Sequence, residues 1–339
     1  IKETVSTAFD AFLTLPTLAS PNSLGGSKAI VIDTTAPTVV LTSASATTVN
    51  GLFSVTATFN EDVIGFDTTD ITVANATVGN FVTVDAKTYT FDVTPTANGA
   101  VTVDVPAAKA TDTASNNNTA ATQLIRTADF TPPTVALTST SATTINAPFL
   151  VTATFSENVT GFSSSGINVT NGTVSGFTGS GTTYNFTVTP SADGAVTVDI
   201  PAAKATDTAS NNNTAAIQLT RTADRTPPTA SLGAVSNITT AGGTSQTLTV
   251  TFSDSSGVDV TSLDNSDIVV NWSGGTIPAA FVSVNTNNNG TPRSATYSLT
   301  PPGGSWDDTD NGSYTVNLQA LQVKDTVSNQ VLGSNLGSF

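Results

Sequence analysis

Three observations predict an all-β chain, folded as a tandem series of antiparallel β-sandwiches strung end to end as a rod. The first is composition: 38% of the 339 residues are hydrophobic and only 10% are charged, against about 25% charged in an ordinary soluble domain. Threonine, serine, asparagine and alanine fill the difference; threonine favours strands, and asparagine and glycine favour turns. The second is periodicity, because apolar and polar residues alternate along most segments and helical periods are nearly absent. The third is self-similarity. Ala100–Asp129 returns almost unchanged at Ala195–Asp224, 95 residues further on, and a repeat of that length holds one small sandwich.

The elements follow in order. Residues 1–32 are too few for a unit. Ser27–Asp33 stands before its junction as Gln123–Asp129 stands before the next, so this segment reads as the last strand of a preceding domain or as a strand donated to a neighbouring subunit. The start, Ile1-Lys2-Glu3-Thr4, has no initiator Met and no secretory layout, and reads as that of a mature or excised fragment. Junctions of like composition recur at Asp33-Thr-Thr-Ala-Pro, Asp129-Phe-Thr-Pro-Pro and Asp224-Arg-Thr-Pro-Pro. They divide the chain into units at 33–128, 129–223 and 224–339, and their prolines fix φ and stiffen the connections.

Within the first unit, Phe53, Val55, Ala57 and Phe59 alternate with Ser54, Thr56 and Thr58, which puts one face in a core and the other in water. Shorter runs follow at Ile71–Val73, Tyr89–Val93 and Val101–Val105. The second unit repeats them at Phe149–Phe155, Ile167–Val169, Tyr184–Val188 and Val196–Ile200. The third keeps the order at Leu248–Phe252 and Tyr314–Leu318 but is longer, with Trp272 and Trp306 in its loops, where they read first as amphipathic aromatics closing one end of the core and second as exposed platforms for a sugar ring. Roughly seven short strands per unit, parted by Gly, Asn and Pro turns, describe an antiparallel sandwich.

Charge and missing residue types narrow the function. The formal net charge is −15, which repels a phosphate backbone or an anionic bilayer, so neither nucleic acid nor a membrane surface is an expected partner. No apolar run approaches the roughly 20 residues of a membrane span. The chain has no Cys, His or Met, which removes Ser-His-Asp and Cys-His catalysis, Cys/His zinc sites and disulfides. An enzyme would depend on acids such as Asp307, Asp308 and Asp310, but that run reads as a turn, and no catalysis is expected.

Three acidic positions recur in every unit. They are the junction Asp (Asp33, Asp129, Asp224), an acid closing the long alternating run (Glu61, Glu157, Asp254) and an Asp near the end (Asp112, Asp207, Asp325). In a seven-stranded sandwich the start of the chain and the loops after the second and sixth strands emerge at one end, so the three carboxylates are expected to converge there. Like charges held together repel, and a cation relieves the conflict. Calcium takes six to eight hard oxygens, whereas zinc favours the nitrogen and sulfur ligands this chain lacks. Calcium is therefore the expected cofactor, stiffening each joint. Asn116, Asn211 and Asn329, each four residues after the third Asp, are candidate side-chain ligands, and Asp62 is a further one in the first unit. Beside this stands the plainer reading, in which the acids are solvated loop charges and turn caps.

The D-x-T-x-P junctions, the F-S/N-E-x-V turn and the A-T-D-x-A-S-N segment together resemble the bacterial immunoglobulin-like repeats of large extracellular adhesins and surface fibre proteins. The third unit, with TPRSATYSLTPPGGSWDDTDNGSYTV, resembles a cadherin-like or haemolysin-associated repeat. The resemblance implies tandem immunoglobulin-like sandwiches at a bacterial cell surface or in an extracellular filament, with calcium held at the matching acids. It also implies partners among neighbouring repeats, identical subunits, or a surface glycan or protein. One departure is that Ser115 and Ser210 stand where such repeats commonly have glycine. The first functional reading is a non-catalytic structural module. The alternative is an adhesive module in which Trp272 or Trp306 of the third unit recognises a glycan or protein.

Overall fold

A computed structural model describes residues 32–339, so the reading of residues 1–32 as a terminal or donated strand lies, but for Ile32, outside the described residues. The described chain is built of strands and short 3-10 turns. It falls into two compact units that divide between Thr131 and Pro132.

The first unit holds one sandwich. Its strands are β1 (Val39–Thr42), β2 (Thr48–Val49), β3 (Phe53–Phe59), β4 (Thr72–Ala74), β5 (Ala76–Thr83), β6 (Thr88–Pro95), β7 (Gly99–Asp104) and β8 (Leu124–Ala128). They form two sheets, ordered β1-β3-β6-β5 and β2-β8-β7-β4. β3 shows the rule at work: Phe53, Val55, Ala57 and Phe59 are buried and the residues between them face outward, as a pleated strand requires. Tyr89, Phe91 and Val93 join them from β6, and Val101 and Val103 come from the other sheet. Phe66 sits edge-on to Phe59 at 5.2 Å and to Tyr89 at 5.0 Å, a favoured aromatic geometry.

The second unit holds two cores. Around the first lie β9 (Val135–Thr138), β10 (Thr144–Ile145), β11 (Phe149–Val159), β12 (Asn168–Thr170), β13 (Gly172–Pro190), β14 (Gly194–Asp199) and β15 (Leu219–Ala223). Their sheets run β13-β11-β9 and β10-β15-β14-β12. β13, at 19 residues, runs without a break through the positions that β5 and β6 occupy in the first sandwich.

Around the second core lie β16 (Thr229–Leu232), β17 (Gln246–Ser253), β18 (Ile268–Trp272), β19 (Gly275–Pro278), β20 (Ala280–Val284), β21 (Arg293–Leu299), β22 (Thr315–Leu318) and β23 (Ser334–Ser338). These form sheets β16-β17-β21-β20 and β19-β18-β22-β23. The two tryptophans are not exposed loop residues. Trp272 ends β18, half-buried, and lies parallel to Tyr314 at 5.7 Å; Trp306 is buried and sits edge-on to Tyr314 at 5.2 Å. The aromatic surface that would stack on a sugar is spent on closing this longer sandwich, where burying it is most favourable.

Candidate metal centre

In the first sandwich Asp33 precedes β1, Glu61 follows β3 and Asp112 follows β7. The loops carrying the last two are tied by a backbone bridge, Ile64 N–H to Thr111 O at 2.8 Å and the reverse at 3.2 Å. Each of the three acids offers one oxygen within 4.8 Å of the others. Asp112 is buried, and Asn116 orders it: its backbone N–H donates to Oδ1 and its Nδ2 to Oδ2, both at 2.8 Å. The same Nδ2 donates to the Asp33 carbonyl at 3.0 Å. These bonds, the Asn116 side chain foremost, hold the Asp112 carboxyl below the usual carboxylate range. The turn keeps its shape without glycine, because Ser115, Ser210 and Ser328 all take the left-handed conformation, at φ 69°, 72° and 74°.

The third sandwich builds the same arrangement more deeply. Asp224, Asp254 and Asp325 are 3%, 9% and 1% exposed, and again offer oxygens within 4.8 Å of one another. Asp325 accepts from the N–H groups of Val327 (2.9 Å) and Asn329 (2.7 Å) and from Asn329 Nδ2 (2.6 Å). That amide also donates to the Asp224 carbonyl at 2.9 Å. Ser255 Oγ donates to Asp224 Oδ2 at 2.9 Å, and the N–H and hydroxyl of Ser256 to Asp254 Oδ1 at 2.8 Å. Burial, with the neighbouring charges of Asp224 and Asp325, nevertheless pushes the Asp254 carboxyl up.

Among the described residues no lysine or arginine forms an ion pair with the first or third acid set. Among the described residues the ion pairs are Lys87 with Asp62 (3.9 Å) and Lys109 with Asp70 (3.6 Å). Asp62, expected as an extra ligand, faces Lys87 instead, because its neighbour Val63 is tied by its N–H to the Ala86 carbonyl (2.8 Å) in the turn between β5 and β6. Two unit charges some 5 Å apart repel by about 3 kcal/mol at an effective dielectric of about 20, and a domain's whole stability is only about 5–15 kcal/mol. Oxygens up to 4.8 Å apart are also what a cation with ligand distances near 2.4 Å would span. The donor set, all hard oxygen, fits calcium.

Of the second repeat's acids, Asp129 lies near the end of the first unit, where its N–H donates to the Val49 carbonyl (2.9 Å) and its Oδ1 accepts from Thr131 N–H (3.0 Å). Glu157, on β11, and buried Asp207 belong to the second unit; Asn211 donates to Asp207 through its N–H and its Nδ2, each at 2.8 Å. The asparagines expected as ligands are therefore donors. In Asn116 and Asn329 two acceptors fix the nitrogen's position, so the amide braces the aspartate rather than offering its oxygen.

Two kinds of residue escaped the sequence reading. Asn98 accepts from Phe130 N–H (2.7 Å) and donates to Thr131 Oγ1 (2.6 Å); Asp193 accepts from Arg225 N–H (2.7 Å) and from the Thr226 hydroxyl. Each grips the chain just past a junction. Their signal was present in T-A-N-G-A and S-A-D-G-A, where the polar residue precedes a glycine at φ 120° or 111°. Buried Asn118 accepts from the N–H groups of Lys109 and Ala110 and donates to the Pro106 and Thr119 carbonyls, and Asn213 repeats the pattern in the second sandwich. Separately, a cleft of about 770 Å³ opens beside Trp306, Asp307, Asp310, Asn311, Tyr314 and Phe339.

The sequence profile described as bacterial Ig-like domain matches residues 33–128 and 129–222. No curated protein matches the sequence. Among solved structures, InvD of Yersinia pseudotuberculosis is similar at 12% identity and a TM-score of 0.33, over 91% of this chain and 99% of that one. Invasin, described as a bacterial integrin-binding protein, is similar at 15% identity and a TM-score of 0.32, over 82% of this chain and 56% of that one. Domains 1–6 of the surface layer protein SbsC align at 14% identity and a TM-score of 0.21, over 89% of this chain and 54% of that one.

Proposed function

Because the chain belongs to the bacterial Ig-like domain family, we propose that it is a non-catalytic structural module of a bacterial cell-surface adhesin or extracellular filament, its sandwiches braced by calcium at their junctions. The observation that carries this reading is the third acid set: three buried carboxylates, drawn from the junction and two loops, with no ion pair to a lysine or arginine among the described residues. When bound, calcium supplies two positive charges and ties the three segments together. Asp224 contributes from the junction, Asp254 from the loop after β17 and Asp325 from the loop after β22, while Asn329 and Ser255 orient them.

The non-catalytic reading is supported by the fate of the other acids. Asp307 caps a turn through Thr309 N–H at 2.8 Å, and Asp310 closes it through Asp307 N–H at 3.2 Å, so the pair serves the backbone. Among the described residues no helix is long and apolar enough to cross a membrane. Calcium titration with calorimetry tests the metal: melting temperatures should rise, and the rise should vanish in a chain carrying Asp112→Ala, Asp207→Ala and Asp325→Ala. Identical melts in calcium and in chelator would reject it.

The alternative, recognition by the third sandwich, is favoured by the cleft beside Trp306, whose acids and amides, rather than its buried aromatic rings, suit a polyhydroxylated ligand. Asn311→Ala should then abolish binding on a glycan array while leaving the melt unchanged. An array silent for the wild-type chain would reject it.

A further inference from the structure

We infer that the junction Asp224–Thr226 is gripped from both sides, and that Asp193 and Asn146 of the second sandwich are positioning residues for the third acid set. From one side the third sandwich holds the segment through Asn329, whose Nδ2 donates to the Asp224 carbonyl. From the other, the second sandwich holds the segment itself and also reaches Asn329. Asp224 N–H donates to the Ile145 carbonyl at 2.8 Å. Asp193 accepts from Arg225 N–H and the Thr226 hydroxyl, while the Arg225 guanidinium reaches the Pro190 and Ser191 carbonyls at 3.3 Å. Asn146 Nδ2 donates to Asn329 Oδ1 at 3.3 Å.

Asn329 is thus the hub. Its nitrogen orders Asp224 and Asp325, two of the three acids, and its oxygen is occupied by a residue of the preceding sandwich. A residue that faces both ways couples the two sandwiches: the joint is partly stiff before any cation arrives, and the backbone of Asp224 and the amide of Asn329, which support the acids, are held in part by the preceding sandwich. The first unit contains the same clasp in neutral form, with Asn98 on Phe130 and Thr131. An amide in that position therefore suffices, and the negative charge of Asp193 is matched to Arg225, the basic residue that replaces Phe130.

The clasp is independent of calcium, whereas its effect on the acids rests on the calcium reading; the test separates the two. Arg225–Thr226 is a tryptic site. In chelator, Asp193→Ala should raise the rate of cleavage there about tenfold, the loss of roughly 1.4 kcal/mol of closure, while Asp193→Asn, which restores the pattern of Asn98, should cleave as wild type does. Thr226→Val, lacking only the hydroxyl, should fall between and guards against a folding defect in the alanine variant. Equal cleavage of wild type and both Asp193→Ala and Thr226→Val would overturn the grip. With calcium present, Asn146→Ala should weaken calcium binding about threefold. If calcium neither binds nor slows cleavage in wild type while Asp193→Ala still opens the site, the metal reading fails and the clasp stands; unchanged calcium affinity in Asn146→Ala would remove the coupling.

Discussion

Asp33, at the head of the first sandwich, keeps part of its surface in water, whereas Asp224, at the same place in the third, is 3% exposed. Glu61 is half-buried where Asp254 is 9% exposed, and only the last pair, Asp112 and Asp325, are buried alike. Ser255 and Ser256 also donate hydrogen bonds to the third set. Where water reaches a cluster of carboxylates it screens their repulsion; where it does not, the repulsion remains. Equal counts of acid therefore make unequal demands for a cation.

The largest effect should come from breaking the deeper set. Calcium at about a thousand times its dissociation constant stabilises the folded state by about 4 kcal/mol. Calorimetry should show the second unit's melt rising by several degrees with calcium, the first unit's rising less, and Asp325→Ala abolishing the larger shift. The pH dependence has a definite sign. The folded Asp254 carboxyl is raised above its ordinary value, so in chelator the stability that this one group contributes is present at low pH and is lost as pH rises through the raised value. The calcium effect should accordingly grow with pH, and equal shifts in both units would break the comparison.

A second difference sits beneath the same loop. Asn118 fills four hydrogen bonds with buried backbone, and its place in the third sandwich is taken by Val331, fully buried; Leu321 N–H donates to the Val331 carbonyl as Ala108 N–H does to that of Asn118. Asn118→Ala strands two donors and two acceptors and should cost about 3 kcal/mol in urea denaturation of the first unit. Val331→Ala removes two methyl groups and should cost about 2 kcal/mol.

These residues show what the sequence could and could not disclose. β3, β11 and β17 were legible because one face of each is wholly buried, and the near-identical repeats made the acids stand out as sets. β5 was not, since most of its residues are exposed and a bulge between Gly79 and Val82 interrupts its alternation. Spacing drew attention to Asn116 in the run Asn116-Asn117-Asn118, yet it could not say that the amide would turn its nitrogen inward or that Asn118 would be the buried one. Both depend on which distant carbonyls the fold brings close. The clasp was hidden for a plainer reason: an Asn or Asp before glycine is ordinary turn chemistry, and only the returning chain gives it a second task.

A third contrast is between Asp70 and Asp267, which close equivalent turns by accepting from Asp67 N–H (2.9 Å) and Asp264 N–H (2.8 Å). Asp70 faces Lys109. Asp267 is fully buried, accepts the Tyr297 hydroxyl at 2.6 Å and leaves Oδ1 without a hydrogen bond. Burial pushes its carboxyl up to about 6, against the opposing pull of Tyr297. With an unfolded value near 3.8, the contribution is full below about pH 4 and is lost as pH rises towards 6, up to about 3 kcal/mol. The difference in denaturation midpoint between wild type and Asp267→Asn, followed from pH 4 to 7 with calcium constant, should trace that loss. A flat difference would place Asp267 in a less costly environment.

The smallest effect belongs to Asp70's partner. The Lys109 and Asp70 side chains are 36% and 13% exposed at a separation of 3.6 Å, a pair that water and salt reach readily. The repeats vary it freely: Lys204 in the second sandwich lies against Gly166, which has no carboxylate to offer, and Gln322 stands at the lysine position of the third, accepting from Ser266. The turn forms in all three. Lys109→Ala should therefore lower the first unit's stability by about 0.5 kcal/mol, and by less in about 0.5 M salt, where charges more than a few ångströms apart are screened. A loss beyond about 2 kcal/mol would mean that Asp70 is as isolated from water as Asp267, and burial would then no longer be what distinguishes the first sandwich from the third.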